Sequence, residues 1–223
     1  MILITGTNDQ KIDDLRRELL LAGMISEKTT LSDLATALAQ TPCVYAVLHI
    51  VDENRPALEN TVFFAKHAYP KIAHVVLFSD ECATDAYEGS CFDFVFPLSV
   101  RVKTLCAQIT GFCIASMGIN LSLRMVGALR YRLFEKDFMM LLKHFSFSDS
   151  YTALLLALME AYPHAIESKR LMHLAFLPLG HTSRTNVSHA VKSINDRFFA
   201  AGLMTNREPL IYYDHEKGYF LRS

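Results

Sequence analysis

The chain has no tryptophan, no CxxC pair, no glycine-rich phosphate loop and no apolar run long enough for a membrane span. Without a P-loop, a GxGxxG or a nucleophile elbow, no motif speaks for an enzyme, and Gly6 after the first apolar run is a lone glycine. The cysteines, at 43, 82, 91, 106 and 113, are odd in number, and several sit in apolar runs. That suits reduced, buried thiols in the cytosol better than a disulfide framework or a zinc site. His164, His173, His181 and His189 lack metal-ligand spacing. The longest uncharged apolar candidate, 153–159, ends at Glu160, well short of the ~18 residues a span needs. The start, Met1-Ile-Leu-Ile-Thr-Gly6, lacks the basic segment of a signal peptide. A cytoplasmic protein is expected, with no catalytic site, metal or cofactor.

What is present is a core. Hydrophobic residues make up 51% of 223 and charged residues 20%, so disorder is not expected and two ordinary domains fit. The net charge of −1 hides a split. Residues 1–118 carry nine Lys/Arg against fourteen Asp/Glu, whereas 119–223 carry thirteen against nine and six of the nine His. The second half, at +4, is the one suited to a polyanion.

Short apolar runs alternate with helical periods in the first half. Strands are expected at Ile2–Thr5, Tyr45–Val51, Ala73–Phe78 and Phe92–Phe96, with one more near Glu27–Thr30. Helical stripes fall at Ile12, Leu15, Leu19 and Ala22, at Leu31, Leu34, Ala35 and Leu38, and at Val62, Ala65 and Tyr69. A short helix over 80–88 and a longer one striped by Val102, Leu105, Cys106, Ile109 and Cys113 complete the set. Alternating strands and helices imply a parallel sheet covered on both faces.

Residues 116–120 mark a boundary, giving domains 1–117 and 118–223. Beyond it the period becomes two, with Leu129, Tyr131 and Leu133 alternating with Arg130 and Arg132 before a second run over 138–147. This predicts a small antiparallel sheet. Three helices follow, from about Ser148 to Ala161, from Ser168 to about Leu177, and over 183–199. Two aromatic strands, Leu210–Tyr213 and Gly218–Leu221, flank a charged turn, Asp214–Lys217. On the last helix Val187, Val191, Ile194 and Phe198 form one apolar face. Thr185, Ser188, His189, Lys192 and Asn195 lie opposite, the short and cationic groups that reach base edges and phosphates in a major groove. Arg184 at the helix start and Lys217 in the hairpin turn are placed to grip the backbone of double-stranded DNA.

An α/β domain followed by a sheet, three helices and a terminal hairpin resembles a response regulator of the OmpR/PhoB type. The segments that carry the resemblance are Phe145–Leu155, Ser168–Phe176, Ser183-Arg-Thr185, Leu210-Ile211 and Gly218–Leu221. The resemblance implies a flavodoxin-like receiver of five parallel strands and a winged helix-turn-helix domain with an N-terminal antiparallel sheet. It also implies a homodimer through about 80–113, and a loop at 177–182 placed to touch RNA polymerase.

It further implies a phosphorylation pocket. Receivers of this kind hold Mg²⁺ on acids after the first strand, phosphorylate an Asp at the end of the third, read the phosphate with a hydroxyl after the fourth, and balance charge with a Lys after the fifth. The matching positions here are Thr7 and Asn8, His49, Ser79 and Phe96, so only the hydroxyl remains. A degenerate receiver is expected, acting without Asp phosphorylation. Two other readings stay open. One is a protein-interaction module whose winged helix binds DNA weakly or not at all, prompted by Glu216 in the hairpin turn. The other is a ligand sensor built on the vacated pocket.

Overall fold

In a computed structural model the chain forms two compact units, Met1–Asn120 and Leu121–Ser223. The structure describes residues 1–41, 43–51, 55–78, 91–181, 185–205 and 208–222.

The first unit is a five-stranded parallel sheet in the order β2-β1-β3-β4-β5. Its strands are β1 (Ile2–Thr5), β2 (Ser26–Lys28), β3 (Ala46–Val51), β4 (Ala73–Phe78) and β5 (Phe94–Pro97). Apart from Val51, strands β1, β3 and β4 are buried, as their near-continuous apolar sequences require of a sheet covered on both sides, whereas the polar edge strand β2 is buried only at Ser26. Helix α1 (Asp9–Leu21) begins where the Asn8 side chain accepts the N–H of Lys11. It shares one face of the sheet with α4 (Val102–Met117), whose Leu105, Ile109 and Cys113 are fully buried. Helices α2 (Leu34–Gln40) and α3 (Arg55–Ala68) cover the other face. There Leu34 and Leu38 pack with Leu3 and Val47, and Leu58 and Val62 pack with Val76 and Phe78. The expected helix over 80–88 lies outside the described residues.

The second unit opens with a four-stranded antiparallel meander: β6 (Leu123–Val126), β7 (Leu129–Arg132), β8 (Asp137–Met140) and β9 (Lys143–Phe145). The run 138–147 is therefore two strands, folded at a two-residue turn in which Leu141 and Leu142 both have positive φ, 46° and 68°. Helix α5 (Asp149–Ala161) is buried from Ala153 to Met159 and tied to β6 by a 2.7 Å ion pair between Arg124 and Glu160, both about 10% exposed at the side chain. The next helical segment reaches Leu179 but is regular only at its start. Regular helix α6 (Ser168–Leu171) gives way to a wider π turn over Met172–Phe176 and a 3₁₀ turn at Leu177–Leu179. Helix α7 (Thr185–Ala200) and the antiparallel hairpin β10 (Ile211–Asp214) and β11 (Gly218–Leu221) end the chain.

An aromatic column joins α7 to the meander. The Phe198 ring stacks 4.3 Å from Phe145, and Phe138 meets both Tyr131 and Phe147. The hairpin is held by Ile166, which exchanges two 2.9 Å backbone hydrogen bonds with Tyr219. That approach requires Gly218, with φ 104°, because a Cβ there would lie 2.4 Å from the Ile166 carbonyl oxygen.

Candidate nucleic-acid interface

Helix α7 divides into two faces as its period dictates. Val187, Ile194 and Phe198 are fully buried and Val191 nearly so. Ser188, His189 and Lys192 stand exposed on the opposite side. Thr185 opens the helix, but its side chain lies outside the described residues, as does Arg184. The helix and hairpin enclose an open groove of about 460 Å³, lined among others by Ser188, Lys192, Asn195, Phe199, Tyr213 and Tyr219.

Asn195 departs from the expectation. Its amide is half-buried and committed at both ends, accepting the N–H of Ile211 at 2.9 Å and donating to the Ile211 carbonyl at 2.7 Å. It brackets the helix to the hairpin and so fixes where the hairpin stands beside the exposed face. The sequence hides this because Asn195 is three residues beyond Lys192 and reads as part of the same polar stripe. Arg197 is likewise structural, donating to the Ser146 carbonyl at 2.7 Å with its guanidinium over the Phe147 ring.

At the hairpin tip Asp214 accepts the backbone N–H groups of Glu216 and Lys217 at 2.9 and 3.0 Å. These bonds hold its carboxyl below the usual aspartate range. The Asp214 carboxylate thus organises the turn that carries His215, Glu216 and Lys217, all exposed. Lys192 on the helix and Lys217 at the hairpin tip are both exposed.

The pocket expected in the first unit is rearranged. Asn8 serves as the cap of α1, and Asp9 is ion-paired to Lys28. His49 is not at a strand end. It lies inside β3, paired with Thr5 and Val76 and 1% exposed, while β3 runs on to Val51. The parallel register therefore makes Asp52, not His49, the residue that follows the third strand; Asp52 and Ser79 both lie outside the described residues. Phe96 is half-buried in β5 and stacks with Phe94, whose ring meets Phe112 of α4 edge-on. Its ring thus joins an aromatic cluster between β5 and α4. His49 instead bonds to Thr5 and to a second histidine, His74, which sequence reasoning passes over. The signal available is that both His interrupt strands otherwise apolar.

No group of three or more metal-ligating residues occurs among the described residues. The four described cysteines form no disulfide; Cys106 and Cys113 are buried as expected, Cys91 is half-buried and Cys43 is exposed. No helix among the described residues is long and apolar enough to cross a membrane.

No family model matches the chain, and no curated protein matches it. Solved structures do. The response regulator DrrB of Thermotoga maritima, an OmpR/PhoB homolog, is 15% identical and aligns over 100% of this chain and 98% of its own, with a TM-score of 0.42. A point mutant of RitR is 12% identical over 100% and 99%, with a TM-score of 0.42. A structure described as a novel family of redox sensors in the streptococci, evolved from two-component response regulators, is 12% identical over 100% of both chains at 0.40. At such identities the function rests on this chain's own residues.

Proposed function

We propose that the chain is a DNA-binding transcriptional regulator of the response-regulator type, with a winged helix-turn-helix in residues 118–223 and a receiver-like domain in 1–117. The observation that carries this reading is the exposed Ser188–His189–Lys192 face beside the hairpin. Asn195 ties the helix to the hairpin, and the Ile166–Tyr219 bridge fixes the hairpin to the segment before α6. In this reading α7 lies in the major groove, with Arg184 and Thr185 at its entering end, and Lys217 touches the backbone. Dimerisation through about 80–113 is supported by the half-buried aromatic cluster of β5 and α4 and by exposed Lys103, Ala107, Gln108 and Ile114. A dimer would double the few cations that each copy offers. Of the loop at 177–182 assigned to RNA polymerase, residues 177–181 are described, and Leu177, Gly180 and His181 are exposed.

The receiver-like domain acts without Asp phosphorylation. This rests on Thr7 and Asn8 in place of a metal-holding acid pair and on Phe96 in place of a cation. A gel shift of the full chain on genomic fragments, with and without acetyl phosphate, tests both parts. Binding of a subset of fragments, unchanged by the donor, is expected. A donor-dependent gain that disappears in Asp52→Asn would overturn phosphorylation independence.

A second reading, a protein-interaction module, is favoured by one observation. The outer face of the meander exposes Leu123, Met125, Leu141 and Leu142, with exposures from 41% to 87%. Its discriminating result is the absence of salt-sensitive DNA binding together with retained binding of a protein partner.

A further inference from the structure

The core of the first unit contains polar groups that DNA binding does not use. His49 and His74 lie on the sheet face covered by α2 and α3, diagonal to one another across β3 and β4. Their rings stack at 5.4 Å with planes 10° apart, and His49 Nε2 is 3.1 Å from His74 Nδ1. His49 Nδ1 is 2.8 Å from Thr5 Oγ1, and Phe92 approaches the same ring at 6.1 Å. His74 Nε2 is buried without a hydrogen-bond partner, and both residues are at most 1% exposed.

Among the described residues the charges around this chain of three side chains are bonded elsewhere than to the rings. From α3 comes Lys66, which donates to Asp93 at 2.6 Å. Asp93 spends its other oxygen on the backbone N–H of His74, not on the ring. Cys91, just before β5, donates its thiol to the carbonyl of Glu59. Helix α2, with the sequence LATALAQ, brings no ionisable side chain, and β1 brings only Thr5. Among the described residues, neither imidazole is hydrogen-bonded to a carboxylate.

We propose that the stacked His49–His74 pair is an acid-sensitive latch, in which one proton added at Nε2 of His74 loosens the sheet of the first unit. In the neutral pair one proton serves the 3.1 Å bond, in either of two tautomer arrangements. Where His49 donates to His74 Nδ1, Nε2 of His74 already carries its proton; where His74 Nδ1–H is the donor, Nε2 of His74 is a bare lone pair, and acid acts on this second arrangement at Nε2. A proton entering there makes His74 a buried cation, its Nδ1–H donating to His49 and the His49 Nδ1–H donating to Thr5. The hydrogen bonds survive, but among the described residues no carboxylate is bonded to the charged ring, and a buried cation so placed is costly in a core.

The sign follows from burial. Desolvation, opposed by Asp93 and aided by Lys66, lowers the His74 pKa from 6.5 to about 4. Burial, with His74 adding to it, lowers that of His49 well below the usual value. The unfolded state therefore binds more protons between pH 6.5 and about 4, and stability falls as pH drops through that window. His74 alone raises the opening constant of the sheet roughly 30-fold at about pH 5 relative to about pH 8.

Hydrogen exchange of the full chain at about pH 8 and about pH 5, corrected for intrinsic rates, tests this without DNA and so stands apart from the proposed function. The wild type should show peptides over Ile2–Thr5, Ala46–Val51 and Ala73–Phe78 opening at least about tenfold more at the acid pH, with α5 and α7 as internal references. His74→Gln should show a smaller rise, and the double variant His49→Leu/His74→Leu almost none. A flat wild-type profile, or a rise in His74→Gln equal to the wild type, would overturn the latch. Should the double variant fail to fold, His74→Gln alone decides.

Discussion

Two buried polar clusters, one in each unit, are arranged in opposite ways. In the second, the nearly buried Arg124 is matched by Glu160, and Asp137 on the meander accepts Arg132 through both oxygens, at 2.8 and 2.6 Å, and His144 at 2.8 Å. In the first, two imidazoles share a chain of hydrogen bonds in which, among the described residues, no carboxylate is bonded to either ring. A paired charge is a fixed tie whose removal is costly whatever the pH near neutrality. An unpaired titratable pair is silent when neutral and disruptive when charged. The unit that carries α7 is thus tied by paired charges, and the other holds the groups proposed to respond to acid.

The largest test removes a tie. Glu160→Ala leaves Arg124 charged and buried, and urea unfolding of the second unit should show a loss of about 3–5 kcal/mol. Gly218→Ala comes next. Its Cβ collides with Ile166 and opens the bridge to Tyr219, so a loss of about 3 kcal/mol is expected, read as a lower melting temperature. Asn195→Ala strips both hydrogen bonds to Ile211. It should destabilise by about 2 kcal/mol and weaken DNA binding by misplacing the hairpin, although Asn195 itself is not among the proposed DNA contacts. The smallest effect is a gain. Replacing Leu141-Leu142 by Asn-Gly relieves two positive-φ leucines at a tight turn and should add about 1 kcal/mol.

Acid sharpens the contrast. Hydrogen bonds from Arg132 and His144 hold the Asp137 carboxyl below its ordinary 3.8, so its contribution is intact above that value and lost as pH falls through the depressed one. The first unit should therefore loosen between pH 6.5 and about 4 while the meander keeps its protection to lower pH. Amide exchange across a pH series measures both. Simultaneous loss in the two units would erase the contrast.

The strands of the first sheet are legible because Ile2–Thr5 and Ala73–Phe78 are apolar runs too short for helices, and α7 because Val187, Val191, Ile194 and Phe198 repeat at helical spacing. Strand β6 escapes the pattern since Leu123 and Met125 point outward, which erases the alternation that marks a half-buried strand. The turn at Leu141-Leu142 is invisible because leucine is not a turn residue. The resemblance matches His49 to a strand end, whereas the register with Thr5 places it two residues inside β3. Asn195 shows the limit of helical periodicity, which tells which face a side chain is on but not whether another element already claims it.

The most direct test of DNA binding through α7 is fluorescence anisotropy of the full chain on a bound genomic fragment across a salt series. Affinity should fall with salt, with a log–log slope shallower by about 0.9 in Lys192→Ala and again in Lys217→Ala, one lost phosphate contact each. An affinity and slope unchanged in both variants, or no salt-sensitive binding by the wild type, would contradict it.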